Sequence, residues 1–282
     1  MERKSPQFGA RLLKAIRHNE KLAQEGYFRS GKRITEEDWY HDTIEGFGIC
    51  FYETIPTEER DTGNLKSFPK DSPLYIIQSE IFLDNILRTL EKNERRTAVE
   101  LGGQGILFQA FPKGFFERTA GVCLKDTRTE GERRGEENRG HYVIEDDIMD
   151  TVNPNLLEKI KQVLGTEKVD LVVCRMKGPL NYLDRHPAIL DRLVRVWYEL
   201  LPENGLMFAQ FVYKRDSFED ERLIKLVQEW AKLVGAKYPE IRVTVGNVRL
   251  DNAAIRIHKK PGAPEKLPPA TQLFGQKTLK LR

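Results

Sequence analysis

Cysteine is scarce in this chain: Cys50, Cys123 and Cys174 are the only three among 282 residues. An odd, scattered set excludes a disulfide framework, and the spacing matches no metal-ligand pattern. Cys123 and Cys174 fall inside predicted strands, where a buried thiol behaves as a small hydrophobe. Long apolar runs are missing as well. None approaches the roughly 18–20 residues needed to span a bilayer. No apolar core follows the polar start Met1-Glu2-Arg3-Lys4-Ser5-Pro6, as a signal peptide requires. The expectation is a cytoplasmic protein. An excess of one charge is also absent, since 46 basic and 43 acidic residues leave a net charge of only +3. That balance lacks the single-sign field of a dedicated nucleic-acid binder and favours a small-molecule partner.

What is present is a change of pattern near residue 75. Before it, Phe8, Leu12, Leu13, Ile16 and Leu22 recur at helical spacing, and aromatic residues cluster between Trp39 and Tyr52. This predicts a helical or irregular cap over residues 1–74, with residues 57–72 as a polar linker. A helix is expected over 79–93, where Ile81, Phe82, Ile86, Leu87 and Leu90 share one side.

From there to about residue 260 short apolar runs alternate with amphipathic stretches. The runs are 97–101, 120–124, 141–144, 169–174, 206–211, 241–245 and 253–257; helical patterns cover 155–164, 187–201 and 218–234. Pro154 and Pro187 stand at helix starts, where proline is tolerated. Such alternation implies an α/β, doubly wound, mostly parallel sheet with right-handed crossovers and both faces covered. Too few residues separate the last two runs for a crossover helix, so they should form an antiparallel hairpin. Between Leu124 and His141 almost nothing is apolar. A charged loop is expected there in place of a covering helix, with the N-terminal segment covering what it leaves bare. Residues 261–282 read as an extended or disordered tail.

The chemistry-bearing feature is the turn Glu100-Leu101-Gly102-Gly103-Gln104-Gly105 after the first strand. Glycines there allow a tight turn and close approach of a ligand to the backbone. A following helix would aim its free N–H groups at that ligand. A glycine cluster alone serves equally well as a structural turn.

The order of motifs resembles the class I S-adenosylmethionine-dependent methyltransferases. The resemblance spans roughly residues 75–260. It implies a seven-stranded Rossmann-type sheet with an antiparallel terminal hairpin, and S-adenosylmethionine as cofactor. By the same resemblance Glu100 organises the turn and approaches the methionine amino group, while Gly102, Gly103 and Gly105 wrap the cofactor. Asp126, after the second strand, answers to the family's ribose-binding acid. Asp147 answers to the acid that receives the adenine amino group, with Ile148 against the ring edge. Gln104 and Asn204 stand where the family pattern has glycine. The loop after the fourth strand carries Tyr182, Asp184 and His186 as candidate positioning groups, but it contains no motif that assigns a catalytic residue. Two other readings stay open: a non-catalytic Rossmann protein with a degenerate cofactor site, and a nucleotide-dependent enzyme.

Overall fold

Each of the seven apolar runs becomes a strand in a computed structural model, which describes residues 44–60, 74–148, 154–175, 187–212, 218–248 and 252–268. The strands are β1 (Thr97–Leu101), β2 (Arg118–Cys123), β3 (His141–Glu145), β4 (Leu171–Arg175), β5 (Gly205–Val212), β6 (Ile241–Val248) and β7 (Asn252–Lys259). They form one sheet in the order β3-β2-β1-β4-β5-β7-β6. β1 to β5 run parallel, and β7 is antiparallel to both β5 and β6, as the short final connection requires.

Period-two alternation divides the side chains between two cores. Val99, Val172, Cys174, Met207, Ala209, Ile255 and Ile257 face one side. There they meet α4 (Pro154–Leu164), α5 (Pro187–Glu199) and α6 (Phe218–Lys237) through Leu156, Ile160, Leu193, Trp197, Trp230 and Val234. Ala98, Leu171, Val173, Leu206, Phe208 and Ala254 face the other side. These pack on α1 (Ile44–Phe51) and α2 (Leu74–Leu90) through Phe47, Phe51, Ile81, Phe82 and Ile86. Phe208 lies 5.3 Å from Phe51 and 5.1 Å from Phe82, ring centre to ring centre. Each such buried ring contributes roughly 1.5–3 kcal/mol. α4 and α5 both begin on their prolines. The turn into β5 uses Asn204 at φ +61°, so asparagine does there what the family pattern assigns to glycine.

The expectation for the segment after β2 fails. That segment is not a loop: α3 (Glu130–Glu137) forms there with no buried residue. Its helicity is local. Thr129 accepts from the Glu132 N–H while Glu132 accepts from the Thr129 N–H, a complete capping box. Glu130 then pairs with Arg133 and, at 2.8 Å, with Arg134. Nor does the described N-terminal segment cover β3, because α1 packs against β5, β6 and β7. Residues 1–43, including Trp39, Tyr40 and His41, and most of the expected linker lie outside the described residues. Beyond β7, residues 261–268 lie back on the domain, where Leu267 is buried and the Tyr198 hydroxyl donates to the Pro264 carbonyl at 2.7 Å.

Candidate functional site

The C-terminal ends of β1, β2 and β3 stand side by side, and each leads into a segment carrying one of the predicted acids. Glu100, on β1, sits on the same face as Ala98 and is 1% exposed. Its carboxylate accepts the Gly105 N–H at 2.7 Å, closing the turn on itself. The glycines make this possible. Gly102 has φ +95°, and a Cβ on Gly103 would lie 2.0 Å from Glu100 Oε1. Gly105 has φ +77°, and a Cβ there would meet the His141 ring.

The chain then doubles back over β2. Gly102 N–H donates to the Val122 carbonyl at 2.9 Å, and the Gln104 backbone rests where a Cβ on Gly121 would be. The Gln104 side chain clasps the segment after β2. Its amide N–H donates to Thr127 Oγ1 at 2.8 Å, and its Oε1 accepts the Thr127 N–H at 3.2 Å.

His141 holds the turn from below. Its Nε2 lies 2.8 Å from the Gln104 carbonyl, which only accepts, so Nε2 carries the proton. The Thr119 hydroxyl, 2.7 Å from Nδ1, then donates to that nitrogen. Burial depresses the His141 pKa, in keeping with a neutral ring.

No α-helix follows the turn between β1 and β2, contrary to expectation. A single 3-10 turn, Ile106–Ala110, follows Gly105. It leads into an aromatic knot in which Phe108, Phe111, Phe115 and Phe116 pack on one another. Pro112 and Gly114 prevent the helix from continuing. Leu107, Phe108 and Phe111 bury what a longer helix would otherwise cover.

Asp126 lies beyond the end of β2, tied to β3 through its N–H, which donates to Glu145 Oε1 at 2.9 Å. Its carboxylate holds the Arg128 guanidinium in a fork, Nε to Oδ1 at 3.0 Å and Nη2 to Oδ2 at 2.8 Å. Arg128 Nη1 reaches Glu136 on α3 at 2.5 Å. Burial opposes the Asp126 charge, but the bonds from Arg128 prevail and hold its carboxyl below the usual range. Nearby Cys123 is a thiol, its pKa pushed up to about 12 by burial and by the charge of Asp126. After β3, Asp147 is half-buried and Ile148 is packed into the core against α4. Lys159 of α4 holds Asp146 at 2.5 Å.

The acceptor groups fit the cofactor that the resemblance implies. Carboxylates stand near the ends of three neighbouring strands, beside a glycine turn, and can accept hydrogen bonds from amino and hydroxyl groups. Residues 176–186, with Tyr182, Asp184 and His186, lie outside the described residues. Reading the sequence missed Arg128, the clasp made by Gln104 and the prop made by His141. The capping-box spacing Thr129-x-x-Glu132 was the signal that could have exposed α3, and with it the Arg128–Glu136 bond.

No family model matches the chain, and no curated protein matches it. Among solved structures it is similar to a putative rRNA methylase from Clostridium thermocellum. The identity is 18% over 61% of this chain and 92% of that one, with a TM-score of 0.41. It is also similar to the N-methyltransferase NodS from Bradyrhizobium japonicum WM9, at 14% identity over 64% and 96% of the two chains and a TM-score of 0.38. A third is Aeropyrum pernix fibrillarin with natively bound S-adenosyl-L-methionine, at 19% identity over 58% and 66% and a TM-score of 0.35. These likenesses are distant. The strand order and directions carry the fold, a Rossmann-like, mostly parallel α/β sheet with an antiparallel terminal hairpin.

Proposed function

We propose that this chain binds S-adenosylmethionine along the ends of β1, β2 and β3 and directs methyl transfer to a small-molecule acceptor. The observation that carries the reading is the placement of Glu100, Asp126 and Asp147 near three consecutive strand ends, beside a turn that requires its glycines. Glu100 would receive the amino group of the methionine part and Asp126 the ribose hydroxyls. Asp147 would receive the adenine amine, with Ile148 against the ring. When bound, the cofactor supplies an electrophilic methyl group on a sulfonium. The work left to the protein is to position an acceptor in line with it and to exclude water. The near-cancelling charge of the chain favours a small acceptor over a polymer.

Calorimetry with S-adenosylhomocysteine tests this. Binding is expected, and Glu100→Gln and Asp147→Ala should weaken it at least tenfold, the scale of one lost charge-assisted hydrogen bond. Absence of binding at millimolar ligand by the folded wild type would sink the proposal.

A second reading is a non-catalytic interaction protein with a degenerate site. What favours it is that the groups of the site already have partners within the chain: Glu100 with Gly105, Asp126 with Arg128, and Gln104 with Thr127.

A further inference from the structure

We infer that Arg128 is an internal latch on the site, occupying the Asp126 carboxylate that a ribose would use and releasing it only when ligand enters. The inference rests on the cofactor reading above.

The geometry is specific. Arg128 meets Asp126 through two side-chain nitrogens, and its own N–H donates to Asp126 Oδ1 at 3.0 Å. Its remaining terminal nitrogen is bonded to Glu136. The three side chains are only 9%, 10% and 15% exposed, so solvent screens the contact weakly. Burial opposes charge on Arg128, but the bonds to Asp126 and Glu136 hold its pKa above the ordinary value.

The surroundings make the latch closable and openable. The Asp126 backbone is anchored to Glu145, and Thr127 is clasped by Gln104, so the carboxylate stays near the ends of β2 and β3 whatever Arg128 does. Arg128 itself has a second acid to retain. If it swings off Asp126, Glu136 on α3 keeps its charge compensated, and no buried cation is stranded. A ribose diol offers two hydroxyl donors to the carboxylate that the guanidinium leaves. The exchange trades a charged partner for neutral ones, so the latch lowers affinity without abolishing binding. This assigns a role to the polar helix α3: it carries the acid that receives Arg128 in the open state.

The test is calorimetry with S-adenosylhomocysteine on the full chain, with thermal unfolding run in parallel. Arg128→Gln frees Asp126 and should bind roughly tenfold more tightly than wild type, the worth of one charged hydrogen bond. Glu136→Gln removes the acid that holds Arg128 in the open state and should bind more weakly than wild type. If Arg128→Gln does not fold, the Glu136→Gln measurement decides. Folded variants that bind as the wild type does, or with the opposite order, overturn the latch while leaving the cofactor reading intact. If neither wild type nor either variant binds at millimolar ligand, it is the cofactor reading that fails, and the latch with it.

Discussion

The two ends of the sheet are built on different principles. Around β4, β5 and β7, both faces are covered by apolar helix surface, and Leu171, Val173, Phe208, Trp197 and Ile257 are fully buried. Around β2 and β3, the face that carries Glu100 is covered by a 3-10 turn, an aromatic knot and a helix with no buried residue. The first end is held on both faces by burial of apolar surface, while on the Glu100 face of the second, hydrogen bonds and ion pairs share that task with the aromatic knot. The candidate site lies on the second. A polar, locally stabilised wall is easier to rearrange than a packed one, because its bonds can be exchanged with a ligand of similar chemistry.

The contrast predicts unequal responses to substitution. The largest belongs to the packed end. Phe208→Ala should cost about 3–5 kcal/mol in denaturant unfolding, because a ring enclosed by Phe51 and Phe82 leaves a cavity the neighbours cannot fill. A loss below 1 kcal/mol would mean that this end is not the anchor.

Next comes an acid-sensitive group at the same end. Burial, and then the nearby Arg256 charge, push the His258 pKa down to about 4. Unfolded histidine titrates near 6.5, so between those values the unfolded chain binds more protons than the folded one. The contribution is therefore complete above about pH 6.5 and is lost as the pH falls toward 4, by up to about 3 kcal/mol. Unfolding at pH 7 and at pH 4.5 should show a shallower loss in His258→Gln than in wild type. Equal losses would remove His258 from the account.

At the site, Gly103→Ala forces a methyl group against the Glu100 carboxylate and should cost about 1–3 kcal/mol. It should also weaken S-adenosylhomocysteine binding, while a neutral result would show that the turn is free to shift. The smallest effect is expected on α3. Thr129→Ala removes the cap and should cost about 1 kcal/mol, read as a lowered melting temperature and faster amide exchange over residues 130–137.

This difference also explains what could be read from the sequence. Strands such as β1 and β5, and the β6–β7 hairpin, were legible because burial writes itself as a run of apolar residues of strand length. α5 and α6 were legible because their apolar residues recur at helical spacing. α3 was not, since its sequence EGERRGEE has no apolar face, and its stability comes from a cap and ion pairs that hydrophobic periodicity does not register. The 3-10 turn after Gly105 was missed for a related reason. The glycine turn led to the expectation of a following helix, while Pro112 and Gly114 were there to stop one. At the site, the resemblance implied that Glu100 organises the turn, and its carboxylate does accept the Gly105 N–H. The pairing of Asp126 with Arg128 could not be foreseen, because a two-residue spacing fixes no side-chain contact outside regular structure. Nor could the contact of Gln104 with Thr127, which joins segments 23 positions apart.

The most direct measurement is a crystal structure of the chain grown with S-adenosylhomocysteine. The account predicts ligand density along the ends of β1, β2 and β3, its amino group at Glu100 and its adenine at Asp147, with Arg128 turned from Asp126 toward Glu136. A structure with saturating ligand in which the Asp126–Arg128 fork is intact and the strand ends carry no density would contradict it.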